Sequence, residues 1–161
     1  MAGQRVVVGE EIMTSDGELI GLFLRRLVPK GLGAVEAARE IKDQGGLVYL
    51  EHPYDSFRRH LDEGAIEAVA HLIDIVEVFN GRSDEKANRL AEELRQTLGV
   101  AAGAGSDAHS LAEVGSVYVE MEDFEGAQDF LVKLRRSRIV RRPNGRFRMV
   151  AARLVGQIRG R

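Results

Sequence analysis

Asp107 and His109 stand two residues apart in Gly105-Ser106-Asp107-Ala108-His109, directly after the apolar run Val100-Ala101-Ala102. If that run is a strand, the spacing sends both side chains to one face. A carboxylate and an imidazole aimed at one point suit a divalent transition metal. Residues of related chemistry follow other apolar runs. Glu10 and Glu11 come after Val6–Val8, and His52 comes after Leu47–Leu50, with Glu51 before it and Pro53 after it. Asn80 and Arg82 come after Ile73–Phe79. In parallel α/β folds, ligands collect at the C-terminal ends of strands. Four strand ends would therefore deliver metal-type and phosphate-type residues to one rim. A lone histidine after a strand is most often a packed or capping residue, and a lone arginine a solvated one. Their coincidence at four strand ends is what points to a site.

The elements that must position these residues alternate. The runs Val6–Val8, Leu19–Leu24, Leu47–Leu50, Ile73–Phe79, Val100–Ala102 and Val117–Val119 read as strands. Helical patterns lie at Val35–Gln44, Ala65–Leu72, Asp84–Leu98 and Phe124–Arg136, with a basic helix or tail at Met149–Ile158. Gly45-Gly46 stops the first helix. Ser83 ahead of Asp84 and Glu85 reads as the N-cap of the third, with first-turn acids that suit its dipole. Strands separated by helices argue for an α/β fold of mostly parallel strands. There is no repeat or internal linker, so residues 1–148 read as one domain and 149–161 as a basic C-terminal extension.

Composition narrows the chemistry. With 161 residues the chain can build one sizeable core. It has no cysteine, which excludes disulfides, thiolate metal sites and cysteine nucleophiles. A net charge of −2 gives the whole molecule no strong pull toward nucleic acid or anionic membranes. No apolar run approaches the roughly 20 residues of a membrane span, and Val6–Val8 is too short for a signal-peptide core, so a cytoplasmic location is the expectation. After Asp129 every charged residue is basic. That tail has one aromatic, Phe147, and reads as a solvated basic segment more readily than as a nucleic-acid reader. Gly103-Ala104-Gly105-Ser106-Asp107-Ala108 fits the relaxed dinucleotide fingerprint, but only Ser110–Ser116 precede the next strand, too few residues for a crossover helix.

The motifs together resemble the polymerase and histidinol phosphatase (PHP) family. The resemblance rests on Gly9-Glu10-Glu11-Ile12-Met13-Thr14, on Gly45 through Pro53, on Glu77-Val78-Phe79-Asn80-Gly81-Arg82, and most strongly on Gly105-Ser106-Asp107-Ala108-His109. It implies a distorted (β/α)7 barrel, here partial or open, with zinc, manganese or iron ions at the C-terminal rim. It implies metal-ligand roles for Glu11, His52, Asp107 and His109. Glu18, where some members carry a histidine, is either a further ligand or a turn residue. The expected activity is hydrolysis of a phosphomonoester, nucleotide or related ester by metal-bound hydroxide, with Arg58, Arg82 and Asn80 on the phosphate. The family's opening His-x-His strand has no counterpart here, because the first histidine is His52. Two expectations follow: an open barrel edge that a second copy could cover, and, as the alternative function, a catalytically impaired remnant with a structural or binding role.

Overall fold

A computed structural model describes residues 6–142. The chain order is β1 (Gly9–Met13), β2 (Glu18–Leu22), α1 (Ala34–Asp43), β3 (Leu47–Leu50), α2 (Glu63–Val69) with a 3₁₀ turn at Ala70–Leu72, and β4 (Ile75–Asn80). There follow α3 (Glu85–Leu98), β5 (Ala101–Gly105), β6 (Val117–Glu120), α4 (Gly126–Leu134) and β7 (Arg138–Arg141). Strands β1 to β5 form one sheet in sequence order, and β6 pairs with β7 in a second, two-stranded sheet. β2 is antiparallel to both of its neighbours, whereas β3–β4 and β4–β5 are parallel. β1, β3, β4 and β5 therefore run one way and β2 alone runs back. The sheet is open: it ends at β1 on one side and β5 on the other, so it is not a closed barrel.

Side-chain alternation gives the sheet two different faces. Ile12, Leu19, Val48, Leu50, Val76 and Val78 point to one face. There they pack on Ala34, Ala37, Ala38 and Ile41 of α1, Ile66 and Val69 of α2, and Ala91 of α3. This is the main core. On the opposite face, Glu11, Ile20, Tyr49, Ile75 and Ala101 lie in register as one row across five strands. The lower half of that face is apolar: Leu47, Ile75 and Ala101 pack against Leu134, Phe130 and Leu131 of α4 and Val119 of β6. Its upper half carries the carboxylates.

Gly17 and Gly103 are among the glycines required by close approach. Gly17 closes the β1–β2 hairpin at φ +141°, and a Cβ there would lie 2.6 Å from the backbone of His60 and Leu61. The turn is held by Thr14, whose backbone N–H and hydroxyl both donate to the Gly17 carbonyl. Gly103 lies under the Tyr49 ring, where a Cβ would sit 2.4 Å from Cε2 and 2.7 Å from the hydroxyl. Gly103→Ala must displace the ring into its polar neighbours. We expect it to lower stability by about 1–3 kcal/mol, read as a shift of the urea midpoint at unchanged slope.

Several sequence expectations are corrected. Residues 6–8 are not a strand; the first strand is Gly9–Met13, so Glu10 and Glu11 lie within it and do not follow it. The N-cap of α3 is Asp84, whose side chain accepts from the Ala87 N–H, while Ser83 donates its hydroxyl to Asp55. The Ala65–Leu72 helix ends at Val69 and tightens into the 3₁₀ turn, and α4 is shorter than Phe124–Arg136. β7 was not anticipated. The basic segment at Met149–Ile158 lies outside the described residues.

Candidate active site

Because β2 runs opposite to the others, its N-terminal Glu18 lies at the same rim as the C-terminal ends of β3, β4 and β5. Alternation then places Glu11, Glu18, Glu51 and Glu77 on one face. A register shift between Glu77 and Phe79 brings Asn80 alongside Glu77, as β-bulges do when they re-aim a side chain. Two adjoining cavities result, of about 290 and 580 Å³. The smaller is lined by Glu51, Glu77, Tyr49 and Asp107, the larger by Glu18, Arg58, Arg82 and His109, and Glu11 stands between them.

His52 and Asp107 are in the left-handed backbone region, at φ +28° and +48°. For residues with a Cβ such conformations cost on the order of 1–3 kcal/mol and cluster at functional sites. Both are held by the rim. The His52 N–H donates to Glu77 Oε2 at 3.0 Å, and Asn80 Nδ2 donates to the same oxygen at 3.0 Å and to Asp107 Oδ2 at 3.1 Å. Asp107 Oδ2 is also 2.5 Å from Arg58. The Tyr49 side chain lines the same cavity as Glu77. Glu77 is thus the hub beneath the site.

His52 is 4% exposed. Its Nε2 lies 3.3 Å from Glu51 and 3.9 Å from Glu18. His109 is more open: its Nδ1 is 2.9 Å from the Asp107 carbonyl oxygen and 3.5 Å from its carboxylate. Its backbone N–H donates to Glu113, which also pairs with Arg82 at 3.3 Å. The structure therefore brings Glu11, Glu18, His52 and Asp107 to one rim with His109 at its outer lip. Asn80, 2% exposed, spends its amide donors on two carboxylates and braces the rim. Glu77 and Tyr49 were missed as site residues. The signal for Glu77 was available: a carboxylate among Ile75, Val76, Val78 and Phe79 is a charge inside a buried strand.

The electrostatics are those of crowded carboxylates. Burial pushes Glu18, Glu51 and Glu77 above the ordinary glutamate range, and neighbouring acids add to it. Burial alone would lower the His52 imidazole, but the hydrogen bond to Glu51 and the charges of Glu51 and Glu77 raise it overall. In all four groups the folded chain holds its proton more tightly than the unfolded chain does. Where that is so, stability falls as pH rises. The three carboxyls act above their ordinary value near 4.5, and His52 acts above 6.5. We expect the melting temperature to rise as pH is lowered from 8 toward 5. Manganese or zinc at pH 8, by neutralising the acids, is expected to raise it and flatten the profile; scanning calorimetry with and without metal checks both.

The donor chemistry fits a divalent cation: oxygens from glutamate and aspartate, nitrogen from histidine. Two buried atoms on the rim, Glu51 Oε1 and His52 Nδ1, have no hydrogen-bond partner. Among the described residues, no three His, Cys, Asp or Glu side chains form a closed group around one point. The fit is thus one of donor type and placement.

Comparison with known proteins agrees with this architecture. Residues 85–139 match the family model described as PHP-associated. The chain is 38% identical over 125 residues to an uncharacterised protein of Methanocaldococcus jannaschii, covering 73% of this chain and 52% of that protein. A second protein of that organism, also uncharacterised, is 46% identical over 78 residues, 48% of this chain and 44% of its own. The chain therefore spans about half the length of these relatives. Among solved structures, PsfC from Pseudomonas syringae superposes with a TM-score of 0.65 at 16% identity, over 92% of this chain and 64% of that one. A two-domain protein from Bacteroides vulgatus, described as containing a predicted PHP-like metal-dependent phosphoesterase, gives 0.64 at 18% identity, over 84% and 44%. The chain thus shares the fold of these solved structures, and its residues 85–139 match the PHP-associated family model. No helix among the described residues is long and apolar enough to cross a membrane.

Proposed function

We propose that this chain carries the metal- and phosphate-binding rim of a PHP-type phosphoesterase. The observation that carries the reading is the convergence of Glu11, Glu18, Glu51, His52 and Asp107 from separate elements on one face, with left-handed backbone at His52 and Asp107. Glu11, Glu18, Glu51 and His52 would hold a divalent ion on one side, and Asp107 and His109 on the other. When bound, such ions polarise a phosphoryl oxygen and acidify water.

The remaining work falls to this chain's own residues. The guanidinium groups of Arg58, Arg59 and Arg82 line the larger cavity and present planar donor pairs that match phosphate oxygens. They orient the ester and neutralise the charge that grows on it. Glu77 and Asn80 hold His52 and Asp107 in place. The acids crowding the rim repel an anion unless cations intervene, which makes binding of a phosphate ester depend on the metal. A small phosphorylated compound or nucleotide is the proposed substrate. The outer edge of β1, flanked by exposed Val8 and Met13, is where a second copy would add.

One observation favours a second reading. Arg58 lies 2.5 Å from Asp107 and so occupies a ligand oxygen. A rim closed in this way would bind phosphate without turning it over. Assaying the chain with manganese or zinc against p-nitrophenyl phosphate separates the two. Metal-dependent turnover that is lost in Asp107→Ala and His52→Ala supports the esterase. Phosphate binding with no turnover supports the binding role.

A further inference from the structure

Phe57 is 96% exposed, in a protein that buries most of its large apolar side chains. A single exposed aromatic needs no explanation by itself. This one has a built position. It lines the 580 Å³ cavity together with Arg58, Arg59, Arg82 and His109. The turn that carries it is anchored from beneath by Asp55, itself 6% exposed. One Asp55 oxygen accepts from the Phe57 N–H at 2.9 Å, and the other accepts from the Ser83 hydroxyl at 2.8 Å. The Asp55 carbonyl accepts from the Arg58 N–H, and the Asp55 N–H donates to the His52 carbonyl. The turn is thus tied on one side to His52 and on the other to the start of α3. A ring held out to solvent on an anchored turn loses little freedom when something packs on it.

We infer that Phe57 is a specificity-determining residue: a stacking platform that selects phosphate esters whose organic part is flat and aromatic, as in a nucleoside monophosphate. The inference rests on the phosphoester reading above. Arginines and an open ring on one cavity wall divide the two ends of such a molecule between them. The phosphate takes the guanidinium donors, and the base lies on the ring. Stacking of a base on an aromatic side chain is worth on the order of 1–3 kcal/mol, or roughly five- to 150-fold in affinity. A sugar phosphate without a base would gain none of this.

The test is calorimetric titration of the full chain, in manganese, with AMP and with ribose 5-phosphate. The wild type is expected to prefer AMP by about tenfold or more. Phe57→Ala should abolish the preference by weakening AMP to about the affinity of ribose 5-phosphate, while Phe57→Tyr should keep it. Because the side chain is exposed, these variants should fold normally, and a melting curve checks that. A preference that survives Phe57→Ala, or none in the wild type, overturns the inference. If the wild type still hydrolyses p-nitrophenyl phosphate in that case, the phosphoesterase reading stands alone. If it binds neither ligand, both fall. A 5′-phosphorylated oligonucleotide bound with the same dependence on Phe57 would assign a strand terminus as the source of the base; AMP alone would assign free nucleotide.

Discussion

His52→Ala and Asp107→Ala are each expected to reduce metal-dependent hydrolysis of a phosphomonoester by more than about 100-fold, while the chain stays folded. Even second-shell partners of a metal site typically cost 10–100-fold when lost, and direct donors cost more. Each substitution removes a donor, while alanine at φ +28° or +48° is no better placed than the residue it replaces, so the backbone strain is not relieved. The fold should tolerate this. His52 Nδ1 has no hydrogen-bond partner, and the main core lies on the other face of the sheet. Loss of activity should therefore come with a melting temperature near that of the wild type, and isothermal titration should show weaker manganese binding. Full activity in both variants would defeat the esterase reading. Unfolding of both would instead show that the rim is part of the core.

The parts of this site that could be read from the sequence are those where local pattern and chemistry coincide. Leu47–Leu50 is a β-rich run bounded by Gly46 and by Glu51-His52-Pro53, and it is a strand over those same residues. Asp107 and His109 follow β5 as expected, although the backbone turns left-handed at Asp107 and does not continue the strand. What could not be read depends on contacts distant in sequence. Val6–Val8 has the stronger intrinsic β propensity, but the Thr14–Gly17 turn sets the hairpin register and assigns the strand to Gly9–Met13. β7 is four residues flanked by arginines, and its pairing with β6 is invisible locally. Its Arg141 guanidinium stacks 3.8 Å above the Phe79 ring. The reversal of β2, which brings Glu18 to the rim, is a consequence of pairing and not of any motif. Ser83 and Asp84 are both good caps. Asp84 is chosen because Ser83 is recruited by Asp55, 28 residues earlier.

The position where sequence reasoning saw least is where a substitution should disturb the protein most. Glu77→Ala is expected to lower stability by about 2–4 kcal/mol and to reduce hydrolysis roughly 10–100-fold. The carboxylate accepts from the His52 N–H and from Asn80 Nδ2. Removing it orphans donors in a water-poor region, and each buried donor left unpaired costs about 1–3 kcal/mol. Loss of a buried charge that burial disfavours offsets part of that sum. Glu77→Gln separates shape from hydrogen bonding. It keeps the volume and one oxygen able to accept from both the His52 N–H and Asn80 Nδ2, so its stability should lie above that of Glu77→Ala. Because Glu77 positions His52 and does not line the arginine-rich cavity, both variants should retain weak phosphate binding while metal affinity falls. Equilibrium urea unfolding, with metal and phosphate titrations on the folded fraction, measures each effect. If Glu77→Ala matched the wild type in stability and metal affinity, the hydrogen-bonded hub would not be what sets the left-handed turn at His52.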